Sequence, residues 1–376
     1  MNLIRSITFC VSLFATLCIG RAPSANAATP VTAEEILKIW QAREAQVKSA
    51  TFSWDRKLYV PKRFYSQQLG EKSVGDSNQP PTDITVEGKC QLRLSSGKLK
   101  YEYLGSGWSF KRSQIQPNST LSTYDGKTYK RIALVGLGED YPDAIVKSGS
   151  PTSELDDLAL LPIWLTVRGN RAVEQKFPLL LYEATGVIII LNNRICYEYK
   201  KESKQGGAIS RIYFDAERDY LPVRRIDSVK DIVTLKLDVS YQAHEEIGWI
   251  PDSWEYTTKD RLGRIGITVS CKLNFYAHNP TLQDSEFDAQ FPPATRVTDT
   301  SSGKEVQYVI RPDGEEGRKI TRNGQSVTYE QLKNSASDPL PWRQVLIVGS
   351  GVGIVATVSL LAFRRYRIRH RNGFRV

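Results

Sequence analysis

The chain has 376 residues and a formal net charge of +10, a balance that would suit a polyanionic partner. Six arginines after residue 363 and two within residues 1–27 account for most of this excess, which leaves about +2 for the rest. Binding to nucleic acid is therefore not expected, because it needs a basic surface on the folded domain.

The beginning of the chain is predicted to be a secretory signal peptide. An apolar stretch at 7–19 is followed by the small residues Ala25, Asn26 and Ala27, the usual pattern ahead of a signal cleavage site. Residues 1–27 are therefore expected to be removed, and the main domain is expected outside the cytoplasm, in the periplasm.

The other end is predicted to be a membrane anchor. The stretch 342–363 is long and apolar enough for a transmembrane helix, and the arginine-rich tail 364–376 predicts a short cytoplasmic C-terminus. Gly349 and Gly353 would suit close packing with a second copy or with another membrane protein. The sequence thus predicts a single-pass membrane protein, with removal of the span by a protease as the alternative.

The first structural element is predicted to be a helix at 33–48. Thr32 and Glu35 have the spacing of a capping box, and apolar residues recur behind them at helical intervals. A strand follows, in which the even-numbered residues of 50–60 are apolar except for Arg56. This charge either reaches the rim of the sheet or latches a covering helix.

Strict alternation of apolar and polar residues identifies the longest predicted strands, at 84–94, 233–241 and 265–275. Tight turns between strands are expected at Asp125-Gly126 and Asn192-Asn193. Such alternation is typical of antiparallel sheets with one face in water. The sequence therefore predicts one large antiparallel sheet of about 9–11 strands.

Other segments do not follow this pattern. Residues 62–81 are predicted to form a polar loop, and 140–171 are predicted to form one or two short helices interrupted by a proline. The main domain is expected to span 28–300. Residues 301–341 read as a polar extension and linker, with one edge strand at 306–310.

Three cysteines remain after the signal peptide: Cys90, Cys196 and Cys271. An odd number leaves at least one thiol free or paired between chains. Cys90 and Cys271 share the apolar positions of their strands, which favours small buried side chains, and a disulfide between them is the alternative.

No motif for catalysis or metal binding is evident. His244 and His278 are the only histidines before the basic tail, and neither has a partner at metal-ligand spacing. Nucleophile elbows, phosphate-binding glycine loops and paired-cysteine motifs are absent from the sequence. No catalytic residue, metal or cofactor is therefore expected, and the protein is not expected to be an enzyme.

Several short motifs resemble the bacterial LolA-like lipoprotein-carrier superfamily, which includes lipid-binding lipoproteins of mycobacteria and the N-terminal domain of RseB-type regulators. Their order along the chain carries the resemblance more than any one of them. The motifs are Ala50-Thr51-Phe52, Gly88, Tyr124-Asp125-Gly126-Lys127-Thr128-Tyr129, Leu221-Pro222-Val223-Arg224 after Asp215, and Phe287 with the stretch 291–299.

The resemblance implies a half-barrel whose concave apolar face holds acyl chains. The predicted fold class is then mainly β with α: a curved antiparallel half-barrel of about 9–11 strands, covered by an N-terminal helix and short central helices, plus the C-terminal transmembrane helix. One departure concerns the sorting activity itself. Carriers of lipoproteins have an arginine after the second strand, and this chain has Leu94 in its place.

The functional hypothesis is a membrane-anchored, non-enzymatic domain that binds lipid acyl chains or a lipoprotein in the half-barrel, in envelope lipoprotein trafficking. The alternative is an RseB-type envelope-stress regulator that acts through a membrane partner. The predicted cavity-lining residues are Phe52, Trp54, Arg56, Val86, Cys90, Leu92, Leu94, Leu235, Leu237, Val269, Cys271 and Leu273.

Overall fold

The computed structural model describes residues 31–62, 80–109, 112–135, 141–149, 159–167, 179–203, 207–260, 262–321 and 327–336. Within them, sixteen strands form one open sheet, and the helices are few and short. The strands are β1 Ser49–Val60, β2 Ile84–Ser95, β3 Lys98–Ser109, β4 Gln114–Tyr124, β5 Thr128–Val135, β6 Asp143–Ser148, β7 Glu183–Leu191, β8 Arg194–Glu202, β9 Ala208–Asp215, β10 Leu221–Val229, β11 Ile232–His244, β12 Gly248–Lys259, β13 Ile265–His278, β14 Arg296–Asp299, β15 Val306–Val309 and β16 Ile320–Thr321. The helices are α1 Ala33–Gln46, α2 Leu161–Val167 and α3 Tyr329–Ala336, with 3-10 turns at Leu179–Leu181, Ala216–Arg218 and Asp284–Phe287.

Strand β1 lies in the middle of the sheet, between β2 and β13. The full order is β16-β15-β14-β6-β5-β4-β3-β2-β1-β13-β12-β11-β10-β9-β8-β7. Neighbouring strands are antiparallel except β6 and β14, which are parallel. Because consecutive strands pair on both sides of β1, the sheet consists of two meanders that meet at the first strand.

The sheet buries a different cluster of side chains on each face. We call the face that carries Phe52, Trp54 and Leu92 the inner face. Helix α2 packs there against β10 and β12, and α1 packs against α2. On the opposite face, Ile132 and Val297 belong to a second cluster, beside which α3 contacts β15. Helices α1 and α2 thus cover the inner face near β10 and β12, whereas α3 lies at the β15 end of the sheet.

Local signals in the sequence are confirmed where they concern caps and turns. The Thr32 hydroxyl accepts from the Glu35 N–H and the Glu35 carboxylate accepts from the Thr32 N–H, so the capping box begins α1 as predicted. At the hairpin between β4 and β5, the Asp125 carboxylate accepts from the N–H groups of Lys127 at 2.8 Å and Thr128 at 2.7 Å. Gly126 there has a φ of +100°, which explains the glycine.

Helix α2 corrects one detail of the prediction. The proline expected to interrupt the central helix, Pro162, is the second residue of α2. A proline is well tolerated there, because the N–H groups of the first turn have no partner inside the helix.

The predicted fold class is corrected in its strand count, with sixteen strands in one open sheet instead of about 9–11. Strand β6 lies in a segment predicted as helical and loop, and β12 was not predicted at all. Strand β12 contains Pro251, a residue that usually argues against a central strand. The register between β11 and β12 shifts next to Pro251, and this irregularity accommodates it.

The predictions of a transmembrane helix and of a single-pass membrane protein are also corrected. In the part of the chain that the structure describes, no helix is long and apolar enough to cross a membrane. The predicted signal peptide at 1–27, the segments 342–363 and 364–376, and the pair Gly349 and Gly353 lie outside the described residues.

Candidate functional site

The twelve residues predicted to line a cavity come together on the inner face. They belong to β1, β2, β11 and β13, and with the exception of Arg56 their side chains are buried. Arg56 is half-buried. The assembled residues are Phe52, Trp54, Arg56, Val86, Cys90, Leu92, Leu94, Leu235, Leu237, Val269, Cys271 and Leu273.

Strand register explains how these residues meet. Trp54 lies opposite Cys90 on one side and Leu273 on the other, and Arg56 lies opposite Cys271. Since facing residues of antiparallel strands point to the same side of the sheet, rows of neighbours cross the inner face. The apolar surface therefore continues from β3 across β1 to β11.

The same register excludes the predicted alternative of a disulfide between Cys90 and Cys271. The two cysteines flank β1 on opposite sides, two strand spacings apart, or about 10 Å. A disulfide needs Cα atoms within about 7 Å of each other. In the described part of the chain, Cys90, Cys196 and Cys271 are buried thiols that form no disulfide.

Aromatic rings form the centre of the face. The ring of Trp54 lies 6.1 Å from that of Tyr101, in a stacked arrangement, and 6.0 Å from that of Trp254. Phe52 and Tyr276 lie 4.8 Å apart. These rings provide a broad, flat and rigid apolar surface.

Arg56 is held above an aromatic ring by an unusual arrangement of glycines. Gly88 and Gly105 face each other on β2 and β3, and a Cβ on Gly88 would lie only 2.4 Å from the Tyr103 ring. The missing side chains let Tyr103 lie flat on the sheet, where its hydroxyl donates to the Ser106 carbonyl at 3.1 Å. The Arg56 guanidinium lies 5.5 Å from the centre of that ring.

This arrangement places the positive charge of Arg56 beside the aromatic part of the inner face. A cation over an aromatic face is attracted by the ring's quadrupole, more strongly when water is excluded. Burial raises the pKa of the Tyr103 hydroxyl, and the charge of Arg56 opposes that rise. Tyr103 is therefore a neutral support for the guanidinium at physiological pH.

Several residues of the face were missed in the sequence, above all Trp254 and Tyr256 on β12. They alternate with Ser253, Glu255 and Thr257, which is the signal that could have found them. Pro251 breaks the pattern just before them, so the strand was not predicted.

Two histidines that looked isolated in the sequence lie close together at one end of the face. The rings of His244 and His278 are 6.4 Å apart, with Tyr276 beside both. The Tyr276 hydroxyl and His278 Nδ1 are hydrogen-bonded at 3.0 Å. Among the described residues, no group of three or more His, Cys, Asp or Glu side chains could hold a metal ion.

A charged junction fixes α1 to the turn after β9. Arg43 of α1 is buried and pairs with the Asp219 carboxylate. Asp215, fully buried, lies 3.7 Å from Arg194 and 3.5 Å from Arg218. Burial raises the pKa of the Asp215 carboxyl, an effect that both arginines oppose.

This junction has the features of a structural contact. Glu217 also pairs with Arg194 at 2.9 Å, so three carboxylates face three guanidiniums. Trp40 of α1 donates its indole N–H to the Tyr220 carbonyl at 3.2 Å. We therefore place the candidate site on the aromatic part of the inner face and assign the junction to positioning α1.

Known proteins resemble this chain in structure only. No protein-family model matches the chain, and no curated protein matches it. Among solved structures, a LolA superfamily protein from Nitrosomonas europaea is similar, with 9% identity, a TM-score of 0.36, and coverage of 69% of this chain and 99% of that one. A DUF1329 family protein from Desulfovibrio piger is similar at 11% identity and a TM-score of 0.34, covering 69% and 98%.

The first of these structures belongs to the superfamily that the sequence motifs predict. At these identities and TM-scores the similarities carry no argument about function.

Proposed function

We propose that this protein binds the acyl chains of a lipid or of a lipidated protein against its inner face, without catalysis. The proposal is supported by the size of that face, which is apolar across six adjacent strands from β3 to β11. Flat aromatic and aliphatic side chains provide a surface that suits long hydrocarbon chains.

The single observation that carries the proposal is the position of Arg56. In a core that only holds strands and helices together, a guanidinium contributes a modest cation–π attraction, and removing part of its charge from water is costly. The guanidinium nevertheless lies over the Tyr103 ring, for which two glycines make room. Such a cation suits an acyl ligand with an oxygen-bearing head group.

Arg56 also keeps its predicted second role as a latch. The carriers of the resembling superfamily have an arginine at the position of Leu94, and Leu94 here is buried and apolar. We propose that Arg56, which lies on β1, replaces that arginine and makes the contact that holds a covering helix closed over the ligand. This latch stays a prediction.

Uptake of a fluorescent fatty acid by the purified chain tests the proposal, and the cysteines locate the ligand. Cys90 and Cys271 lie on the aromatic part of the inner face, whereas Cys196 lies on β8, at the other end of the same apolar cluster. A bound acyl chain is expected to slow alkylation of Cys90 and Cys271 and to leave that of Cys196 unchanged. Protein that takes up no fatty acid, or equal protection of all three thiols, would count against the proposal.

The RseB-type alternative has no observation of its own in the described residues. Its membrane partner was predicted from the segment 342–363, which lies outside them. Lipid binding is the function that the described side chains support best.

A further inference from the structure

Two tryptophans of the inner face have an indole N–H without an acceptor. Trp54 on β1 is fully buried and Trp254 on β12 is 2% exposed, and their rings lie 6.0 Å apart. The Nε1 atom of each is buried and makes no hydrogen bond. Two neighbouring donors in one aromatic cluster are thus left unsatisfied.

Trp40 provides the contrast within the same chain. It is 1% exposed, as deeply buried as the other two, but its N–H donates to the Tyr220 carbonyl. Most buried polar groups in folded proteins are paired in this way, so each exception requires an explanation. A phenylalanine would keep an aromatic ring at either inner-face position without leaving a donor unpaired.

The register directs both donors and Arg56 to one part of the face. Arg56 and Trp254 both lie directly opposite Cys271, on its two sides. Trp54 precedes Arg56 by two residues on β1, so it points to the same face. Two neutral donors and one cation therefore surround Cys271, and no carboxylate of β1, β12 or β13 occupies these inner positions.

We propose that Trp54 and Trp254 form a donor pair for the carbonyl or carboxylate oxygens of an acyl ligand. This inference rests on the proposed function and gives its ligand a head group. The hydrocarbon chain lies on the apolar face, and its oxygens accept from the two indole N–H groups beside Arg56. In the free protein the donors are unsatisfied, and the ligand supplies the missing acceptors.

The ligand chemistry predicts a clear order of affinities. A fatty acid and its methyl ester both have acceptor oxygens, whereas an alkane of equal length has none. Using pyrene-labelled dodecanoic acid, its methyl ester and dodecylpyrene, we expect the first two to bind about tenfold or more tightly than the third, since one buried hydrogen bond contributes about that factor. Tighter binding of the acid than of the ester would show that the head group is a free carboxylate. Equal binding of the two would show that an ester carbonyl is sufficient.

The variants Trp54→Phe and Trp254→Phe remove a donor and keep an aromatic ring. Each is expected to weaken binding of the acid and the ester by about tenfold and to change that of dodecylpyrene by less than about twofold. Trp40→Phe is the matched control, and it should leave the ratio of acid to dodecylpyrene affinity unchanged. Equal losses for all three ligands in the Trp54 and Trp254 variants would overturn the donor pair.

Two further readouts do not depend on binding by the variants. In ligand-free protein, Trp54→Phe and Trp254→Phe should lower the melting temperature less than Trp40→Phe, because only the last breaks a hydrogen bond. In the wild-type chain with isotope-labelled tryptophan, two of the seven indole N–H resonances should shift with the fatty acid and stay in place with dodecylpyrene. Unshifted resonances with bound fatty acid would overturn the donor pair and leave lipid binding intact, whereas failure of all three ligands to bind would overturn both.

Discussion

Replacing Gly88 by alanine tests the support of Arg56 directly. The new Cβ would lie 2.4 Å from Cε2 of Tyr103, where an ordinary contact is about 3.5–4.0 Å, so the ring must retreat by more than about 1 Å. That movement breaks the hydrogen bond from Tyr103 to the Ser106 carbonyl, a loss of about 0.5–1.5 kcal/mol. It also separates the ring from Arg56, a further loss of about 0.5–1 kcal/mol.

Alanine is itself favoured over glycine in a strand by about 0.5–1 kcal/mol, so the net destabilisation should lie between about 0 and 2 kcal/mol, centred near about 1 kcal/mol. If the clash with Tyr103 is the cause, a smaller side chain there removes it. In a Tyr103→Val background, Gly88→Ala should therefore stabilise the protein by about 0.5–1 kcal/mol. Urea unfolding of the wild type, the two single variants and the double variant measures the coupling free energy between positions 88 and 103. We expect about 1–2.5 kcal/mol, which is above the usual additivity error.

Gly105→Ala is the control on the neighbouring strand. Its Cβ would lie 2.6 Å from two backbone atoms, the Glu87 carbonyl oxygen and the Gly88 Cα, which a change at Tyr103 does not remove. This variant should be destabilised in both backgrounds. If Gly88→Ala lowers the unfolding free energy equally in the wild-type and Tyr103→Val backgrounds, the clash with Tyr103 is refuted.

Three further predictions follow from single side chains. Arg56→Leu should change the unfolding free energy by about 1 kcal/mol or less yet speed release of a fluorescent fatty acid, and equal release rates would remove the latch. Burial raises the pKa of the Cys196 thiol to about 11, so at about pH 8 roughly one thiol in a thousand is ionised and alkylation, followed by mass spectrometry, should be far slower than for a free cysteine. The Gln283 N–H and then Arg93 lower the pKa of the Glu286 carboxyl. The ionised carboxylate therefore stabilises the fold above the unfolded pKa of about 4.3, and this stabilisation is lost as the pH falls through the folded pKa. In Glu286→Gln, the melting temperature should fall less steeply on the acid side of a plot against pH, and a plot identical to that of the wild type would contradict this.

How far the sequence predicted the fold depends on how local each signal is. The capping box of Thr32 and Glu35 and the turn at Asp125-Gly126 depend on neighbouring residues, and both are confirmed. The strand count was too low because β6, β14 and β16 have six residues or fewer and because Pro251 hides β12. The proline of β12 is tolerated only through a shift of register with β11. That shift is a property of two strands together, and no single stretch of sequence contains it.

The sequence predicted which side chains share the inner face, but it did not predict which of them are neighbours there. Alternation shows which side chains share a face, and it correctly places Cys90 and Cys271 together with the apolar residues. It does not say which strand lies between two others, so the position of β1 between the two cysteines could not be foreseen. The contacts of His244 with His278 and of Trp54 with Trp254 depend on the same strand order, so they could not be foreseen either.

The central claim is that the inner face holds an acyl ligand beside Arg56. Native mass spectrometry of the chain, expressed in bacterial cells and purified without detergent, tests it most directly. We expect a bound species with the mass of a fatty acid or phospholipid, and we expect Arg56→Leu to retain less of it than the wild type under the same purification. Wild-type protein that is consistently empty and also fails to take up an added fluorescent fatty acid would contradict the account.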